Sequence, residues 1–188
     1  MDDELAALRR DVLALQDRAA IQDCIATHAR GCDRHDLEAL AATYHDDGVD
    51  VHGATVNAGP DYAAWANQVH GTTSQNHLHN VTTHSCEIDG DEAHAESYVM
   101  VTLLSPDAST ASVMCGRYVD RLERRDGRWR IAVRRATVEL AYTADAELLR
   151  SKYFTAQGYE HGKRDRSDLS YQRPLAADGR HSRTQRPS

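Results

Sequence analysis

Apolar residues recur along this chain in two rhythms, and the rhythm changes near residue 77. Up to that point the spacing is helical. Leu5, Leu8, Val12 and Leu15 step by three, four and three and share one helical face. The stripe continues or restarts through Ala19, Ala20, Ile21, Cys24 and Ile25, with Gly31 as a natural stop. A second helix is predicted from about Leu37 to Tyr44, with Asp36 as N-cap. His45-Asp46-Asp47-Gly48 breaks it, and Val49 and Val51 flank Asp50 as in a short strand. Pro60 suits the first turn of a third helix carrying Tyr62, Trp65 and Val69, and Gly71 to Ser74 reads as loop.

From His77 onward the period is two. Strands are predicted at residues 77–88, 93–104, 112–124 and 128–139, with tight turns at Asp89-Gly90-Asp91 and Asp126-Gly127. In the last strand Trp129, Ile131 and Val133 alternate with Arg128, Arg130, Ala132 and Arg134, one buried face against one polar face. Helices first and an antiparallel meander afterwards indicate an α+β fold, with helices packed on one face of a curved sheet. A cavity between the layers is the natural ligand site.

Composition narrows the classes. The chain has 188 residues, enough for one domain, and a formal net charge of −7. Residues 151–188 carry 8 basic and 4 acidic side chains, so a body of 1–150 at −11 precedes a tail at +4. An acidic body speaks against a nucleic acid partner, which needs a basic face. No apolar run suits a membrane span, and the acidic start Met1-Asp2-Asp3-Glu4 is unlike a secretory signal. The expected location is the cytoplasm. The four cysteines form no C-x-x-C pair and read as reduced thiols. Dinucleotide, P-loop and serine-hydrolase motifs are missing.

Eleven histidines stand out as proton acceptors. His77 and His79 share one face of a predicted strand, while His84 points the other way. With a carboxylate, the pair suits a metal; but the cupin-like spacing from Gly71 lacks its following Glu, and no metal or other cofactor is expected. The metal-free reading is a carboxylate–histidine dyad. Asp33, just past an apolar helix, is the candidate carboxylate, although spacing alone also suits a solvent-facing Asp at a helix end.

Four blocks of sequence change that balance. Arg18 to Asp23 with Gly31-Cys32-Asp33-Arg34-His35-Asp36, then Glu87 to Asp91, then Gly116 to Ile131, and finally Arg164 to Tyr171 resemble the SnoaL-like family of the nuclear transport factor two-like superfamily. Its members include relatives of scytalone dehydratase, lindane dehydrochlorinase, bile-acid dehydratase, polyketide cyclases and ketosteroid isomerase. The resemblance implies a cone-shaped α+β barrel and a lyase or isomerase that needs no cofactor. It implies an Asp–His dyad of Asp33 and His79, with His77 as the alternative base one pleat away. His28, Tyr44, Trp65, Tyr98 and Arg134 are candidate substrate-binding residues; for Arg134 the competing expectation is a charged surface row. The implied substrate is a small hydrophobic cyclic compound, such as a steroid or polyketide, and a dimer or trimer is implied. His52, His70, His84 and His94 are read as surface or structural. The alternative function is a non-catalytic small-molecule-binding module of the same fold. In the tail, the Arg164–Tyr171 stretch is expected to dock and residues from about Ala176 are not.

Overall fold

The structure is a computed structural model, and it describes residues 1–176. Expectations for residues 177–188 lie outside the described residues. Helix α1 runs unbroken over Asp2–Arg34, then α2 over Leu37–Ala41, strands β1 (Tyr44–His52) and β2 (Thr55–Ala58), and α3 (Gly59–Thr73). The meander follows as β3 (Asn76–Asp89), β4 (Glu92–Leu104), β5 (Thr110–Arg125) and β6 (Arg128–Asp145). A short helix α4 (Lys152–Gln157) opens the tail.

The six strands form one open sheet in the order β2-β1-β6-β5-β4-β3. The fold is α+β, as the two rhythms predict, but the sheet is mixed, because β1 runs parallel to β6. Helix α1 packs on β3 and β6, and α3 packs on β1. The core between the layers holds Ile21, Ile25, Leu40, Tyr44, Tyr62, Leu122 and Ile131.

Several helical expectations shift; among them, Gly71 to Thr73, read as loop, form the last turn of α3. Gly31 does not end α1; the chain leaves the helix at His35, in left-handed conformation (φ 49°). The glycine is needed for close packing, since a Cβ there would lie 2.9 Å from the Leu40 Cβ. The stripe at Leu5, Leu8, Val12 and Leu15 stays 43–67% exposed. Only the second half of α1 is buried by the rest of the chain, and Asp17 anchors the junction by accepting from Arg124 and from Trp129 Nε1 at 2.8 Å each. Helix α2 starts as read, with Asp36 Oδ1 accepting from the Ala39 N–H, but ends three residues before Tyr44.

Bulges decide which side chains enter the core. Opposite β5, Leu122 pairs with Ile131 and Arg121 with Val133, so Ala132 is an extra residue in β6. A bulge of this kind shifts the in–out alternation of everything beyond it. Arg134 therefore turns inward and is fully buried, where plain alternation puts it in a polar surface row.

Candidate functional site

Asp33 sits one residue from the end of α1, and His79 lies on β3 with its side chain facing the helices. The Asp33 Oδ1 is 2.7 Å from His79 Nδ1, and both Asp33 oxygens also accept from the His79 backbone N–H at 3.0 and 3.1 Å. A carboxylate only accepts, so the His79 proton sits on Nδ1 and the lone pair on Nε2. Among the described residues that Nε2 has no hydrogen-bond partner. His79 lines a pocket of about 330 Å³ with Ala26, Arg30, Asp33, Arg34, Val81 and Ser170.

His77 has the same orientation on the strand but a different chemistry. Its Nε2 is 3.0 Å from the Cys32 carbonyl oxygen and its Nδ1 is 2.8 Å from Arg164 Nη2. The carbonyl can only accept and the guanidinium can only donate. His77 is thus held as a neutral Nε2–H tautomer with its lone pair covered, the opposite of His79. Burial first, then the nearby His79 and Arg164, push its pKa down to about 4, against the Cys32 hydrogen bond and Asp33, which raise it.

His70 joins this cluster from α3, where Tyr62, Ala66 and His70 step by four towards the core. Its ring centroid is 4.1 Å from that of His77 and 5.2 Å from that of His79. Its Nδ1 is buried with no partner among the described residues. Burial, then His77, His79, His35 and Arg164, drive its pKa down to about 2. The reading of His70 as surface or structural misses this proximity, although its four-residue spacing from Tyr62 and Ala66 carries the signal. Two donor sets have metal-like proximity: His35, His70 and His77, and Asp33, His77 and His79. Both depend on His77, whose two ring nitrogens are already engaged.

The other candidates form a second centre inside the cone. His28 is fully buried, and its Nε2 is 3.1 Å from the Tyr44 hydroxyl, which donates to Asp50 Oδ2 at 2.7 Å. Desolvation, then Arg134, pushes His28 well below its ordinary pKa, and burial raises Tyr44 well above its own. Arg134 forms a two-pronged pair with Asp120, both bonds 2.7 Å, beneath the Tyr118 ring. Trp65 is half-buried against Tyr62 and His52. Tyr98 does not line a pocket with them. Ala93, Ala95, Ser97 and Val99 take the inward positions of β4, which leaves Tyr98 on the outer face, 48% exposed. The Cys32 thiol is buried and raised to about 12, by burial first and then by Asp33, so it is no nucleophile.

A family model described as a SnoaL-like domain matches residues 13–135, well over half the chain. The chain belongs to the SnoaL-like family. Solved structures agree with the fold. Hexachlorocyclohexane dehydrochlorinase LinA-type3 from Novosphingobium barchaimii is 24% identical, with a TM-score of 0.66 over 71% of this chain and 94% of that one. A protein titled a putative scytalone dehydratase, from Novosphingobium aromaticivorans, is 21% identical, with a TM-score of 0.62 over 70% and 89%. A function-unknown protein from Mycobacterium tuberculosis is 29% identical, with a TM-score of 0.60 over 67% and 73%. No curated protein matches. Among the described residues no helix is long and apolar enough to cross a membrane.

Proposed function

We propose that this SnoaL-like protein is a lyase or isomerase that works without a cofactor, with His79 as general base and Asp33 as its partner. The observation that carries this reading is the 2.7 Å contact between Asp33 Oδ1 and His79 Nδ1. It fixes the tautomer that leaves the Nε2 lone pair uncovered, on a ring that lines the pocket, and it stabilises the imidazolium formed once a proton is taken. His79 removes a proton from carbon next to an activated centre. Elimination of water or halide completes a lyase cycle; return of the proton to another carbon completes an isomerisation.

The pocket supports a substrate of modest size. Its volume of about 330 Å³ suits a small ring compound, Ala26 and Val81 offer apolar contact, and the Arg30 and Arg34 guanidinium groups suit a carbonyl or hydroxyl oxygen. Relatives titled as a dehydrochlorinase and a putative scytalone dehydratase give the reaction class its precedent.

The test is turnover on a panel of cyclic ketones and alcohols, steroid and polyketide-like. Asp33→Asn and His79→Ala should each lower kcat/KM by about 10²–10⁴-fold, the usual worth of a positioned base, with an unchanged circular dichroism spectrum. If a ligand raises the melting temperature equally in wild type and Asp33→Asn and no turnover is found, the protein is a binding module. If His77→Ala loses activity and His79→Ala keeps it, the base is wrongly assigned.

A further inference from the structure

The tail wraps the end of α1 where the dyad lies. Asp168 pairs with Arg34 at 3.2 Å, and the Tyr171 hydroxyl donates to Asp36 at 2.8 Å. Arg30 donates to Ser170 and lies over the Tyr171 ring. One tail residue reaches deeper. Arg164 donates to the Ser74 carbonyl at 2.9 Å, to the Ser74 hydroxyl at 2.7 Å and to His77 Nδ1 at 2.8 Å.

We propose that Arg164 is a positioning residue that decides which of the two neighbouring histidines acts as base. By covering the His77 lone pair, the guanidinium leaves His79 as the open proton acceptor on this face of β3. It also fixes the His77 Nε2–H on the Cys32 carbonyl, which belongs to the peptide bond leading into Asp33. The sheet is thereby tied to the last turn of α1 at the point where the carboxylate must be aimed. The role of Arg164 rests on the Asp33–His79 reading, but its hold on His77 can be measured without any substrate.

Removing the guanidinium would open Nδ1 of His77 and take away one of the charges that oppose its protonation, while Asp33 remains close by. Asp33 Oδ1 lies 3.9 Å from His77 Nε2. The other titratable groups facing this ring are His35, His70 and His79, all within 5.5 Å of it centroid to centroid. A proton on His77 would then repel the one that His79 must gain during reaction.

The experiment is nitrogen–proton correlation of the histidine rings by NMR, across pH 5–8, on the full chain. In wild type, His77 should be an Nε2–H tautomer that does not titrate in this range, and His79 an Nδ1–H tautomer. In Arg164→Met, His77 should lose its single tautomer and its midpoint should rise by about 1 or more on the pH scale. The His79 ring signals should also move as His77 gains its proton. Tyr171→Phe, which loosens the tail without touching His77, should leave the His77 signals as they are. Unchanged His77 and His79 signals in folded Arg164→Met overturn the proposal. Should that variant not fold, the wild-type spectrum decides alone: an Nδ1–H His77, or one titrating above pH 5, overturns it.

Asp33→Asn separates the two readings. It should move the His79 signals and leave the His77 tautomer in place. If His79 does not respond, the dyad fails while the hold of Arg164 on His77 stands. Once a substrate is in hand, Arg164→Met should lower kcat by about 10–100-fold with little change in KM, the cost of a misaligned base, and Arg164→Lys should restore part of the loss.

Discussion

The pair formed by Arg134 and Asp120 shows how one buried residue sets its own terms. Both side chains are fully buried, so each charge has given up its water for the other. Arg134 also leaves its Nη1 buried without a hydrogen-bond partner among the described residues. Breaking such a pair strands the survivor, at a typical cost of about 3–5 kcal/mol, whereas replacing both partners by apolar groups is often neutral. Asp120→Leu alone should therefore destabilise the chain by about 3–5 kcal/mol, and the double change Asp120→Leu with Arg134→Met by much less. Urea denaturation of the single and double variants measures the difference; equal losses would show that the pair carries no coupled charge. At this scale Asp33 and His79 are legible in the sequence, because a family motif and a strand period locate both. Arg134 is legible as a residue of interest but not as a buried one, since its inward turn depends on the single extra residue Ala132. The capping of His77 by Arg164 cannot be read at all from local spacing. It joins residues 87 positions apart through a tail that carries no hydrophobic rhythm of its own.

Among the elements, β3 to β6 are the most readable, for their period of two leaves little choice of structure. The parallel placement of β1 beside β6 is not readable, because β1 is short and its pairing is a tertiary choice. The outward side of this sheet raises a question that the isolated chain does not answer by itself. Met100, Cys115 and Leu140 form one cross-strand row, and Leu78, Thr102 and Tyr142 stand in the next, where Val113 between them is buried. Leu140 is 56% exposed and Tyr142 51%. Neighbouring rows of this kind on an open sheet make a contiguous apolar surface, the type that monomers rarely leave in water. A second copy of the chain is the proposed cover, and a symmetric oligomer the expected state. Sedimentation should find the wild type larger than one chain. Leu140→Glu, which places a charge in the middle of the rows, should sediment as a monomer with its secondary structure intact. A monomeric wild type would remove this face from consideration as an interface.

For the whole molecule, the inner histidines tie stability to pH in a definite direction. His70 is pushed down to about 2, by burial first and by its histidine neighbours next, and His77 to about 4. His28 is likewise held well below its ordinary value by burial and then by Arg134. In the unfolded chain all three recover a pKa near 6.5. Between about pH 6.5 and pH 4 the unfolded state therefore binds more protons than the folded one, and stability must rise with pH across that window. The contribution is complete above about pH 6.5 and is lost progressively as the solution is acidified. Carboxylates act lower down: Asp168, where hydrogen bonds from Ser170 and Lys163 outweigh burial, is held to about 2 and matters only below about pH 4. The melting temperature should thus fall already between pH 7 and pH 5, above the range in which Asp168 responds. His70→Phe removes one of these protons while keeping a ring against His77, so its melting temperature should fall less steeply over the same interval. Identical slopes for wild type and His70→Phe would mean that His70 is not held neutral in the fold, and would place the acid sensitivity on His28 and His77 instead.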